Sequence, residues 1–379
     1  MLSRHLYRID EVKACCYLAL LKRNYREGLF WSMELCDTLM GAELLKIMLR
    51  AWFYGGGSPS VLVDLLAVMK RDELGPEDIL PFVGALCAGE KDASIFYLLS
   101  RGSADWMKQP DTFAFRVTGQ TPEMAAIKQR KTLFAWILLR CRWSSTSEGG
   151  GAWPLLLSLS TPKTRPVLEL LKEQTEFVWE SRAAALLLVC QPKVATAPKY
   201  YVDERLVAEW SELEGRRARR QFKTRSEACL LYSERGRMPR TTTNIEEIRE
   251  PLTALHGSPY WDTIAAEFGG WKPIYKNDAS KEAFYDLYFP DDIPDEWSEA
   301  DQEKSHGRGF SVADATEAVH RQFMSLYGTA PSLGLVSWTH DATRLSLDLS
   351  LYETRQEAWA RIQTEWNFTP RPKKIVLVK

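Results

Sequence analysis

The sequence predicts a mainly α protein. An irregular, solenoid-like helical array is expected over residues 1–190, a linker over 191–199, and a second α-rich domain with a small β element over 200–379. Three observations lead there. Apolar residues in the first half recur at i, i+3/i+4 and i+7, the spacing of one helix face. Short links carrying Gly, Pro and capping residues separate these segments. Beyond residue 198 the composition changes, and period-two alternation is confined to the C-terminal part.

Residues 10–22 place Val12, Cys16, Ala19 and Leu20 on one face, and 26–37 do the same with Leu29, Phe30, Met33 and Cys36. Residues 41–54 follow with Leu44, Leu45, Met48, Leu49 and Trp52. The links at 22–25 and 38–40 are short, so the helices they join are expected to be antiparallel neighbours. Gly55, Gly56 and Gly57 end the third helix; Ser58 and Pro59 then supply an N-cap and a first-turn proline. Gly75, Pro76, Glu77 and Asp78 repeat that signal. Thr121, Pro122 and Glu123 open a segment predicted to run to about Arg142, and 144–151 is a polar, glycine-rich loop. Helical segments resume near 153–160, 165–178 and 181–190. Helix pairs thus recur every 30–35 residues or so, as in α-solenoids, without a shared consensus between pairs.

After the linker, 200–232 is expected to be a charged helix and 237–244 a loop. Short helices are predicted at 261–268 and 281–289. Two capping boxes start at Ser298 and Ser311. Residues 345–351 alternate apolar and polar, and 374–378 is a β-branched run; both are predicted strands able to pair.

Lys and Arg total 49 against 50 Asp and Glu, in a chain of 379 residues with 45% apolar content. That balance excludes a globally basic nucleic-acid binder and an acidic disordered chain, though not a local patch. The seven cysteines (Cys15, Cys16, Cys36, Cys87, Cys141, Cys190 and Cys229) are odd in number, lack CxxC spacing and mostly lie in apolar runs. They read as buried, reduced thiols. No apolar run approaches the ~18 residues a membrane span needs, and the N-terminus lacks a signal-peptide core, so a soluble protein is expected.

Two constellations stand out as binding sites. Arg216, Arg217, Arg219, Arg220, Lys223 and Arg225 crowd one stretch, where arginine suits bidentate phosphate recognition. On a helix these charges wrap the surface, so a polyanion-binding site and a solvated helix neutralised by Glu209, Glu212, Glu214 and Glu227 are both open. Tyr260, Trp261, Trp271, Tyr288 and Trp297 crowd a loop-rich stretch and are candidate partner-binding anchors, or else a small core beneath loops. Trp31, Trp52, Trp136 and Trp179 sit in helical patterns and read as core.

Catalytic chemistry finds little support. The histidines (His5, His256, His306, His320 and His340) form no HExxH or His/Cys cluster, so no metal site is expected. The acidic run around Asp291, Asp292, Asp295, Glu296 and Glu299 lacks calcium-loop spacing. Neither glycine triplet precedes Lys-Ser/Thr, no GxGxxG follows a strand, and no GxSxG elbow is present. The expectation is a chain that is not an enzyme and has no cofactor. Were it one, Asp291, Asp292 and Asp295 would be the first residues to replace.

Residues 7–35 (YRIDEVKACCYLALLKRNYREGLFWSMEL) and 283–309 (AFYDLYFPDDIPDEWSEADQEKSHGRG) resemble blocks of an uncharacterised α-helical protein family of nucleocytoplasmic large DNA viruses, the giant viruses of protists and algae. The resemblance implies a viral factor in the cytoplasm of an infected cell or in the virion, and it supplies no catalytic residues. The first block also resembles one helical hairpin of the clamp-loader collar, without the P-loop of those ATPases. Together these readings predict a non-enzymatic scaffold or protein-interaction factor, a minor structural component among its forms, that has protein partners. The alternative is a nucleic-acid-associated accessory factor in viral replication or transcription using residues 216–225. Oligomeric state is left open.

Overall fold

The computed structural model describes residues 1–89, 92, 94–101, 121–128, 130, 132–145, 151–190, 200–212, 222, 252 and 255–288. These residues are mainly α-helical. The helices are α1 (Ile9–Lys22), α2 (Tyr25–Asp37), α3 (Gly41–Gly55), α4 (Pro59–Val68), α5 (Pro76–Ile79), α6 (Pro81–Ala88), α7 (Ser94–Arg101), α8 (Pro122–Lys128), α9 (Thr132–Ser145), α10 (Trp153–Leu159), α11 (Arg165–Lys172), α12 (Val178–Cys190), α13 (Glu204–Ser211), α14 (Pro259–Glu267), α15 (Trp271–Lys276) and α16 (Asp278–Tyr288). Among the described residues there is no sheet; one isolated antiparallel bridge joins Leu2 to Arg8. The strands expected at 345–351 and 374–378 lie outside the described residues, as do both capping boxes after 297.

The described residues group into two compact units. The first contains residues 1–51, 67–89 and those from 200 to 288; the second contains 52–66 and those from 92 to 190. This grouping differs from a partition in chain order, because the described residues between 200 and 288 pack with the N-terminal helices.

In the first unit, α1 lies against α2 and α6. Its buried set is wider than the one face read from the sequence: Ala14, Cys15, Tyr17, Leu18 and Leu21 are buried beside Val12, Cys16, Ala19 and Leu20. A helix covered by partners on several sides loses its amphipathic pattern. The α1–α2 turn is built by two adjacent residues. Arg23 is left-handed (φ 61°) and Asn24 N–H reaches back to Ala19 O (3.0 Å), closing α1. Asn24 Oδ1 then accepts from Glu27 N–H (3.3 Å) while its Nδ2 donates to Glu27 Oε2 (2.8 Å), opening α2. Gly28 faces Val83 of α6 and Leu20 of α1.

Residues 200–212 return to this core. Asp203 N–H donates to Tyr25 OH (2.8 Å), the Tyr201 ring lies 4.9 Å from that of Tyr25, and Tyr200 meets Phe82 edge-on at 5.8 Å. A Cβ on Gly84 would stand 2.6 Å from Tyr201 O, so α6 accepts this segment only because residue 84 is glycine. Asp203 caps α13, whose Trp210 reaches Phe30 at 5.4 Å. The expected charged helix over 200–232 is thus described only as α13, and it ends at Ser211.

In the second unit α12 contacts α7, α8, α9, α10 and α11. Its sequence, VWESRAAALLLVC, is apolar on every side after its first turn, as a central helix requires. The segment read as one helix from 122 to about 142 is two, α8 and α9, broken where Arg130 turns left-handed (φ 58°). No Gly or Pro marks that break.

Candidate functional site

The predicted basic run, Arg216, Arg217, Arg219, Arg220, Lys223 and Arg225, lies outside the described residues, and so do Trp297, Asp291, Asp292 and Asp295. One residue within the run is placed. Phe222 packs in the first unit against Phe30 (4.8 Å), Trp210 (6.0 Å) and Trp31 (6.4 Å), and its carbonyl accepts from Tyr7 OH (3.1 Å).

The other predicted anchors gather on α14–α16. Trp261 belongs to a buried cluster with Leu2, Leu252, Leu255, Ala265, Ile274 and Phe284. Its indole N–H donates to Ser3 O (2.9 Å). Tyr260, Trp271 and Tyr288 are half-buried and pack around that cluster. Trp271 donates to Asp262 Oδ1 (2.6 Å), and Tyr288 meets Trp261 edge-on at 5.9 Å. Outward from them stand Tyr275, 40% exposed, and Leu287, 64% exposed. Trp261 is therefore a core residue, whereas Tyr260, Trp271 and Tyr288 form its half-exposed rim.

A polar clasp joins this lobe to α2. His5 Nδ1 lies 2.6 Å from Glu34 Oε2, and His5 backbone N–H donates to Glu34 Oε1 (3.1 Å), with the two side chains 7% and 2% exposed. Arg4 pairs with Asp37 (3.4 Å), its N–H donates to Thr38 Oγ1, and its guanidinium lies 5.6 Å from the Tyr260 ring. Burial alone pulls the His5 pKa down, but the hydrogen bond to Glu34 and the Glu34 charge outweigh it, so the net displacement is upward. Burial pushes the Asp37 carboxyl upward as well, opposed by Arg4 and His5.

The described thiols are governed by burial, although Cys16 lies 3.5 Å from Ser32 Oγ and Cys36 feels the Asp37 charge. Burial pushes Cys16, Cys36 and Cys190 up to about 12 and Cys87 up to about 11, which keeps them protonated and poor nucleophiles. Among the described residues, no group of three or more His, Cys, Asp or Glu side chains is placed to hold a metal ion. Nor is any described helix long and apolar enough to cross a membrane.

The second unit holds a cluster that sequence reasoning treated as plain core. The guanidinium carbons of Arg182 and Arg140 lie 4.5 and 4.7 Å from the centre of the Trp179 ring. Arg182 also lies 5.2 Å from Trp143, and Arg140 lies 5.9 Å from Trp136. Trp136 and Trp143 are themselves 5.9 Å apart. Cations and indoles alternate around this set, an arrangement favoured by the ring quadrupole. Two of its pairs were visible as same-helix spacings, Trp136 with Arg140 at i, i+4 and Trp179 with Arg182 at i, i+3. The cross-helix contacts between α9 and α12 were not.

Comparison with protein-family models, curated proteins and solved structures finds no match to this chain.

Proposed function

We propose that the chain is a non-catalytic helical interaction protein, and that α14–α16 present the surface a protein partner meets. The observation that supports this is the half-exposed aromatic rim of Tyr260, Trp271 and Tyr288, with Tyr275 and Leu287 standing out from it. Rings held by a buried core offer large contact area and lose little side-chain entropy on binding. The resemblance to a giant-virus family supports a setting in an infected cell or virion, as a scaffold or minor structural component.

The basic run supports a second reading, a nucleic-acid-associated role. Phe222 ties the middle of that run to α2 and Tyr7, so its arginines adjoin a fixed point of the fold in sequence. Nuclease sensitivity separates the two. The intact chain is used to capture partners from infected or host extract, with and without nuclease. Protein partners that survive nuclease and are lost with Tyr275→Ala/Leu287→Glu support the interaction reading. Partners lost with nuclease, and equally with Arg216/Arg217/Arg219/Arg220→Ala, replace it with the nucleic-acid reading. In that case binding should also fall about a thousandfold or more between 50 and 200 mM salt if six phosphates are contacted.

A further inference from the structure

We propose that residues 1–8 form a pH-sensitive strap, which fastens the α14–α16 lobe to α2 while His5 is protonated and loosens its hold when His5 loses its proton. Five consecutive amides build it, each with an acceptor. Ser3 N–H donates to Tyr7 O (2.7 Å), Leu6 N–H to Ser3 O (3.0 Å) and Tyr7 N–H to Ser3 Oγ (3.1 Å), which folds the segment on itself with Leu6 left-handed (φ 65°). Arg4 N–H donates to Thr38 Oγ1 (3.1 Å) and His5 N–H to Glu34 Oε1 (3.1 Å), which ties the segment to α2 and its C-cap. The side chains face the lobe instead. Leu2 is buried in the Trp261 cluster and Leu6 packs against it. Ser3 O accepts from the Trp261 indole N–H, and Arg4 lies over the Tyr260 ring. One short segment thus holds two elements that are far apart in sequence.

The charges at the α2 end make the hold depend on one proton. Arg4, Glu34 and Asp37 are the charged groups among the described residues whose fields reach His5. With both carboxylates ionised and His5 protonated, two positive and two negative charges cancel. Loss of the His5 proton leaves one negative charge over, at a site where the Glu34 side chain is 2% exposed. A neutral imidazole still donates one N–H to Glu34, so the hydrogen bond survives and the ion pair does not. A buried carboxylate without a counter-charge favours any opening that hydrates it. Lifting residues 1–8 does so without breaking a helical turn, since α1 begins at Ile9. The His5 pKa, raised by Glu34, fixes the direction: the hold is complete below about 6.5 and weakens as pH rises through the raised value.

Hydrogen–deuterium exchange of the full chain at pH 6 and pH 9, corrected for the intrinsic rate, reads this opening. Protection of peptides covering 1–8 and 255–268 should fall about threefold or more between the two pH values. Peptides from α6 in the first unit and α12 in the second should keep theirs. His5→Asn leaves a donor near Glu34 that does not titrate, so its protection should be the same at both pH values. Glu34→Gln removes the charge that the imidazolium answers and should also abolish the response. Equal protection of 1–8 at both pH values in the unaltered chain overturns the proposal. So does an equal loss in α6, which would make His5 a contributor to the stability of the whole unit and not a local fastening. A full pH response retained in His5→Asn overturns it as well, by placing the titrating group elsewhere.

Discussion

His5 shows how one residue can set a pH dependence. It is buried with Glu34, and its folded pKa is raised above the ordinary 6.5. Proton linkage then fixes the sign. The protonated form is favoured in the folded state, so the pair's contribution is complete below about 6.5 and is lost as pH rises through the raised value. Arg4 and Asp37 also face this imidazole, the first opposing and the second favouring its charge. At pH 6, His5→Ala should lower stability by about 3 kcal/mol, because it leaves the Glu34 carboxylate buried without its partner. At pH 9 the difference between the two proteins should be distinctly smaller. Urea unfolding midpoints at both pH values measure this, and a difference that does not change with pH would remove His5 as the titrating group. Nothing in the sequence marked His5 out. It lies near a chain end and 29 positions from its partner, and single histidines reveal a role only through what folding brings to them.

Helices were legible where local chemistry alone decides their ends. The first three were expected at 10–22, 26–37 and 41–54, and they run Ile9–Lys22, Tyr25–Asp37 and Gly41–Gly55. Asn24 explains this precision, since capping and turn signals act between residues a few positions apart. Asn24→Ala should therefore destabilise the chain by about 1–2 kcal/mol, removing both the acceptor for Glu27 N–H and the donor to its buried carboxylate. Asn24→Asp should recover much of the cap and so fall between the two in a thermal melt. If Asn24→Ala melts with the unaltered chain, the turn is held by α1–α2 packing and not by its cap. Other ends were hidden. The α8–α9 break falls at Arg130, a residue with no intrinsic preference for φ 58°, so residue type gave no signal of it. Helix α15 was missed because Pro273 lies inside it. In so short a helix that proline falls within the first turn, where its missing N–H removes no intrahelical bond. The Trp179 stack was missed for a related reason: each same-helix pair was visible, but only the packing of α12 against α9 makes it one cluster.

At the scale of the whole molecule, sequence reading favours domains in chain order, because composition changes sharply near residue 198. Composition reports what each segment is made of, not what it packs against. The first unit is closed by contacts that run far along the chain: Tyr25 to Asp203, Phe30 to Trp210, Tyr7 to Phe222, and Ser3 to Trp261. Leu2 lies in the same buried cluster as Leu255 and Phe284. Three of these long-range contacts are hydrogen bonds made by or beside aromatic rings, one is a ring contact, and each buried ring removes substantial area from water. A covalent link across 191–199 is then unnecessary for the two halves of that unit to stay together. A site for a sequence-specific protease placed within 191–199 tests this. After complete cleavage, the two fragments should elute together on size exclusion in native buffer and separate only in denaturant. Removing Leu2 and the Arg4–Tyr260 contact, with Leu2→Asp and Arg4→Ala, should weaken their association and let part of the C-terminal fragment elute alone. If the fragments part in native buffer without those substitutions, residues 200–288 form a domain of their own, and the partition expected from composition describes the molecule better than its long-range contacts do.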